Sequence, residues 1–367
     1  MRLLIIGFLG CVATADTLRA ESAVVLRGAA EPLGAPVTQL SDAGVHVGGD
    51  QVRIIGWDSV KAVTGDLSVE AETYRALADD AWRARLRLSR GDLERAEPLF
   101  EVVYERVQAT PGPTALMAAE GLMRCRLRRG DQFGAIEPWL TAVRLRDAGF
   151  RIAGDPPILP VLDTQLNLSA ALPPIWIDDA ATSAAISTGL EVEPDPSRAN
   201  ELHALYMDAA RFEVSNEPID LDSTSGDPTV DFVRMIVAAR VGDATQRARA
   251  RETLVAGLGA DPGTWKEAWR RVAIGRSCLM EDDPSLRTEG LLHLLHLPAR
   301  FGVTHPYLNG IALAEASLEL RRTGDDVAAD ALQRELQRND PYHPALLWLD
   351  RERRALARSP EAASQDQ

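Results

Sequence analysis

The sequence predicts a mainly α protein, an α-solenoid of helical hairpins preceded by a small β-barrel-like or curled-sheet module. Three observations carry that prediction. Apolar residues alternate in short runs between Gly and Asp turns over residues 21–65. From about residue 67 their spacing changes to three and four. A Gly-Asp step with alanine five residues after the glycine then occurs three times.

In the first segment, Ala23-Val24-Val25-Leu26-Arg27 and Ala35-Pro36-Val37-Thr38-Gln39-Leu40 read as short strands. Val45-His46-Val47 alternates, Gly48-Gly49-Asp50 is a turn signal, and Gln51 to Gly56 resumes a strand. Residues 57–63 close the module with apolar residues three apart. Strands this short, tightly connected, suggest a small barrel or curled sheet. Its core is thin, so it is expected to pack on the rest of the chain, with Trp57 as the plug.

Helical periodicity then takes over. Tyr74, Leu77, Ala78, Ala81, Trp82 and Leu86 share one face. Gly91-Asp92 ends that helix and starts another, because glycine accepts the left-handed conformation and aspartate is a good N-cap. The next helix turns Ala96, Phe100, Val103 and Val107 inward. The unit recurs after 39 residues: Arg87 to Asp92 is echoed by Arg126 to Asp131, and Ala96 and Phe100 by Ala135 and Trp139. Gly324-Asp325 with Ala329 makes a third occurrence, and Val241-Gly242-Asp243 a weaker fourth.

On these residues the units resemble tetratricopeptide repeats (TPR-like). Ala96, Ala135 and Ala329 stand at the small position early in the second helix, Phe100 and Trp139 at its aromatic position, and Pro341 at the closing proline. Gln333 replaces the aromatic in the last unit. The resemblance covers roughly 75–147 and 307–345. It implies stacked hairpins whose surface binds a protein or peptide.

The domain organisation is then a signal peptide at 1–15, the β module at 21–65, and TPR-like repeats at 67–150. A Pro-rich ordered crossing loop occupies 151–178, helical repeats ending in a TPR-like unit 179–358, and a disordered tail 359–367. The crossing loop holds Pro156, Pro157, Pro160, Pro173 and Pro174, which break a helix, yet Ile158, Leu159, Leu166, Leu168, Ile175 and Trp176 are too apolar for a solvated linker. It should cross the array and pack on it, and long ordered loops are often functional. Asp222 to Asp227 is a polar connector. Helices are predicted over 229–241, 244–257, 263–281, 283–297, 306–322, 325–338 and 343–357.

Net charge is −14 and the pI about 5.0, which provides no field for a phosphate backbone, so nucleic acid is not an expected partner. The cations are arginine except Lys61 and Lys266. Met1-Arg2, the apolar run Leu3 to Val12 and the small residues Ala13-Thr14-Ala15 form a tripartite secretory pattern. The run is shorter than the ~20 residues a spanning helix needs. Export to the periplasm or cell envelope is expected, with no integral membrane span after cleavage. Cys125 and Cys278 fall in apolar helical patterns and read as buried free thiols.

Chemistry-bearing motifs are few. His293 and His296 are three apart and share a helix face, with His305 nine residues on. Such a set is the candidate metal site, although Glu289 is not in the His-Glu-x-x-His arrangement of metalloproteases. The plainer reading is two histidines at the edge of an apolar helix. Asp283-Pro284 and Asp178-Asp179 read as helix caps. Neither a P-loop, a Gly-x-Gly-x-x-Gly run nor a Gly-x-Ser-x-Gly elbow occurs. The expectation is a non-enzymatic protein–protein interaction scaffold without cofactors. The alternatives are an exported metal-dependent enzyme using His293, His296 and His305, and a structural subunit of an envelope assembly.

Overall fold

A computed structural model describes residues 21–49, 52–154, 157, 160–188, 197–221, 223–356 and 358. The expected leader (1–15) and tail (359–367) lie outside these residues, as do Asp155, Pro156, Ile158, Leu159 and Asp222.

The N-terminal module is two open antiparallel sheets and not a closed barrel. β1 (Ala23–Leu26) pairs with β5 (Val60–Thr64), while β2 (Val37–Ser41), β3 (Gly44–Val47) and β4 (Arg53–Ile55) form a three-stranded meander. The three-residue spacing of Val60 and Val63 belongs to a bulged strand. Val25 pairs with Ala62 but Leu26 with Val60, so Lys61 is skipped and both valines face inward. The helices close the module where strands do not. Trp57 is buried, donates Nε1–H to the carbonyl of Ser41 at 2.7 Å and stacks on Tyr74 at 4.7 Å between centroids. Thr114 accepts from the Trp57 amide at 3.0 Å and donates to the carbonyl of Ala43 at 2.8 Å.

The helices are α1 (Ser68–Ala71), α2 (Arg75–Ser89), α3 (Leu93–Val107), α4 (Pro113–Arg128), α5 (Ile136–Asp147), α6 (Ala180–Thr188) and α7 (Arg198–Ser215). They continue as α8 (Pro228–Val241), α9 (Ala244–Ala256), α10 (Trp265–Leu279), α11 (Pro284–Arg300), α12 (Pro306–Arg322), α13 (Asp326–Asn339) and α14 (Pro344–Leu356). From α2 on, neighbours in sequence pack on each other, except that α5 packs directly on α7. Alternate helices also touch: α2 meets α4, α8 meets α10, α10 meets α12 and α12 meets α14. This is solenoid-like packing of helix pairs. Among the described residues, no helix is long and apolar enough to cross a membrane.

The three repeated turns share one geometry. Gly91, Gly130 and Gly324 have φ of 75°, 82° and 86°. In each, the next residue's aspartate amide reaches back five residues: Asp92 to Arg87, Asp131 to Arg126 and Asp325 to Leu320. That is a Schellman ending, which satisfies carbonyls a helix end leaves open. Gly242 is extended, so the fourth occurrence is a different turn, and there Asp243 and Gln246 form a capping box. The Asp92 side chain caps nothing and instead lies 3.6 Å from Arg87. Asp131 bonds the amide of Gly134, opening a 3-10 turn before α5. Ala96, Ala135 and Ala329 are fully buried. The helix expected to stop at 297 runs on through Pro298 to Arg300, proline being confined to its last turn.

Candidate functional site

Residues 160–178 form an extended strap laid along the helices. The sequence dictates its path locally. Asp163 accepts hydrogen bonds from the amides of Gln165 and Leu166 at 2.9 and 2.8 Å, and Asn167 takes a φ of 54°, which reverses the chain before Leu168. A second turn follows, closed by Leu172 N–H on Ser169 O at 3.0 Å, and Pro173 and Pro174 then hold the chain extended. Leu168 and Leu172 are wholly removed from solvent, and Leu162, Ile175, Trp176 and Ile177 are buried with them.

Among the described residues of the strap, only the carbonyls of Asp163, Leu168 and Ser169 find main-chain partners; Thr182 of α6 donates to Ile177 O at 2.7 Å, and side chains of five further helices supply six others. Thr229 of α8 donates to Leu166 O at 3.2 Å and Trp139 of α5 to Asn167 O at 3.1 Å. Trp269 of α10 donates to Ala170 O at 3.2 Å and Tyr206 of α7 to Leu172 O at 2.6 Å. Tyr307 of α12 donates to Ile175 O at 2.9 Å and Arg276 of α10 to Trp176 O at 2.8 Å. The Trp176 indole N–H is itself satisfied by Tyr206 O at 3.1 Å, and its ring stacks on Phe133 at 4.1 Å. These aromatics combine large apolar area with one polar handle, which is what a buried contact to main chain requires.

The arginine among these donors belongs to a buried ionic network. Arg276 is bonded to Glu315 at 2.8 Å and to Glu213 at 3.2 Å, while Arg240 grips Glu213 at 2.9 and 3.0 Å. Burial alone would raise the Glu213 carboxyl, but Arg240 and Arg276 outweigh it and hold the group below the usual range. At the strap's approach, Arg85 pairs with buried Asp58 and donates to the carbonyls of Ala153 and Gly154. The Arg85–Asp58 salt bridge therefore ties the β module to the array, and arginine hydrogen bonds to carbonyls hold the chain before the strap and the strap itself.

Beside the strap lies an open cleft of about 1100 Å³. Its floor includes Pro173 and Trp176 of the strap, and one wall is the α4 terminus with Arg128 and Phe133. The starts of α12 and α14 form the other wall, with Tyr307, Tyr342 and His343. Tyr342 is 93% exposed there. His343 is deeply buried: its Nε2 bonds Tyr307 O at 3.0 Å, its Nδ1 accepts from the Ala345 amide at 3.1 Å, and its ring covers Gly310. Burial lowers its pKa from 6.5, against Tyr307 O, Asp340 and Asp179, which raise it.

His293 and His296 do share one face of α11, but His305 is not brought to them. His293 Nδ1 lies 3.4 Å from Arg271 and its Nε2 3.8 Å from Glu289, whereas His296 Nε2 lies 3.4 Å from Glu267. The ring of Phe301 lies 6.0 Å from that of His296 and 5.8 Å from that of His305, between centroids. His305 instead heads α12 and lines the cleft. Among the described residues, no group of three His, Cys, Asp or Glu side chains is placed to hold a metal ion. Cys125 and Cys278 are buried and free.

Among the strap donors, the sequence pattern assigns Trp139 alone, as a repeat aromatic. Their one signal is that Tyr206, Trp269 and Tyr307 put a polar tip on otherwise apolar helix faces. Compared with protein-family models, curated proteins and solved structures, the chain shows no significant match.

Proposed function

We propose that this protein is a non-enzymatic protein–protein interaction scaffold, and that the leader pattern of residues 1–15 directs its export. One observation carries the reading: the helical-repeat surface leaves an open cleft over buried Trp176, lined by Phe133, Tyr307 and Tyr342 together with Arg124, Arg128 and Arg129. Aromatic residues and arginine are the side chains that anchor partner proteins. The acids of the cleft are already engaged within the protein. Asp131 holds Arg129 and the amide of Gly134, Asp179 the amide of Thr182, and Asp340 that of Tyr342. Arg129 is likewise shared between Asp131 and Glu97, so the exposed Arg128 edges an amphipathic slot for a protein segment.

Site-specific photocrosslinking in the intact exported protein tests this. A photoreactive residue at Tyr342 is expected to yield a discrete covalent adduct with one envelope protein. The adduct should be lost in the Phe133→Ala/Arg128→Glu variant. The same probe at Val69, exposed on α1 outside the cleft, should give none. No adduct from Tyr342, or the same adducts from both positions, sinks the proposal.

A further inference from the structure

The strap has the properties of a bound peptide more than those of a connecting loop. The array is continuous without it, because α5 packs directly on α7 although residues 148–197 separate them in sequence. Among the described residues, its main-chain amides and carbonyls within 161–178 make backbone bonds only to one another: Asp163 to Leu168, Asn167 to Asp163 and Leu172 to Ser169. Every link from helix to strap main chain passes instead through a side chain. Six donors on five helices address six carbonyls in order along the strap, from Leu166 to Trp176. Between these bonds, Leu168, Leu172 and Trp176 are buried among the helices. Recognition through main-chain carbonyls, with apolar side chains sunk between them, is how proteins hold extended segments of other chains.

We infer that the inner face of the array is a binding groove for an extended apolar chain, and that residues 160–178 are its ligand in cis. The groove is filled by this ligand, so the cleft is the surface left open. The cleft borders the groove and shares Pro173, Trp176 and Tyr307 with it, but the groove inference rests on the contacts beneath the strap and is tested without any partner in the cleft. What the groove selects is legible from its contacts. Its ligand is a largely extended chain with only three main-chain bonds of its own, prolines that hold the rest extended, and a tryptophan whose N–H meets Tyr206 O.

The test uses the full chain with a protease recognition sequence inserted after Pro157 and a second after Thr188. Cleavage at both removes the segment's covalent ties and leaves every helix in the sample. The released piece is expected to co-elute with the array on gel filtration, and helical circular dichroism is expected to persist. A fluorescent synthetic peptide of residues 160–178 should exchange into the groove. The same peptide with Leu172 and Trp176 changed to Asp should bind at least about tenfold more weakly. Loss of helicity on cleavage overturns the inference, as does a peptide that never enters the groove. A second variant, Tyr206→Phe/Tyr307→Phe, keeps both rings and deletes two donors. After cleavage it should release the piece about tenfold faster; an unchanged release rate shows that carbonyl recognition does not hold the strap.

Discussion

Tyr307 donates its phenolic hydrogen bond to the carbonyl of Ile175, which lies 132 positions earlier in the chain. The hydroxyl is desolvated, which pushes its pKa far above the ordinary value and keeps it a donor at any ordinary pH. Tyr307→Phe leaves the ring and strands a buried carbonyl. Urea unfolding is expected to show a loss of about 1–3 kcal/mol. A midpoint unchanged from the parent would mean that water reaches Ile175 O.

The pair Arg85 and Asp58 joins the β module to α2 with both groups almost fully buried. Removing one partner abandons a charge in the interior. Arg85→Leu should therefore cost about 3–5 kcal/mol. Asp58→Asn in the same chain should return part of the loss, and chemical denaturation of the single and double variants measures the coupling.

Gly121 on α4 lies against the Phe100 ring so closely that an added Cβ would stand 2.2 Å from it. Gly121→Ala is expected to destabilise by about 1–3 kcal/mol through overpacking, despite the better helix propensity of alanine. Combining it with Phe100→Leu tests the cause. The two losses should be less than additive if ring and methyl compete for one space, and equal to their sum if they do not.

Acid should loosen the C-terminal end. His343 is held neutral, with its folded pKa below 6.5, first by burial. The folded state then binds fewer protons than the unfolded one, so stability is complete above about pH 6.5 and falls as pH drops below it. His203, His293, His296 and His305 are shifted the same way, in each case chiefly by burial. The thermal midpoint should decline as pH falls from about 6.5 to about 5. His343→Asn, which can still cap α14, should flatten part of that slope; an unaltered slope rules His343 out as a contributor.

Burial pushes the Cys125 thiol up to about 12 and the Cys278 thiol up to about 11. Neither supplies thiolate near neutrality. Peptide mapping after a short alkylation should find both unmodified in the native protein and both labelled in guanidinium chloride. Labelling of either in the native state would reveal local opening of α4 or α10.

Local requirements made much of the fold readable. Gly91, Gly130 and Gly324 are demanded by a positive φ, which a single residue type announces. The helices from 228 onward fall within about three residues of expectation, because capping residues such as Asp227, Asp243 and Asp283 mark their starts. The module's closure was not readable, since Thr114 and Arg85 close it from helices remote in sequence. The shared face of His293 and His296 comes from helical spacing, while His305 depends on how the chain turns at Phe301. The strap announces itself as apolar and helix-breaking. Its donors do not, because each meets its carbonyl from 28 to 132 positions away.

The strap also bears on how this array melts. In a solenoid each unit touches only its neighbours, so such stacks fray from their ends and unfold in stages. Here one ribbon of main chain is tied to α5, α7, α8, α10 and α12 at once. Detaching any one of these helices uncovers carbonyls that the others cannot satisfy. A quasi-one-dimensional stack thus acquires a longitudinal tether, and the stretch from α5 to α12 becomes a single cooperative unit.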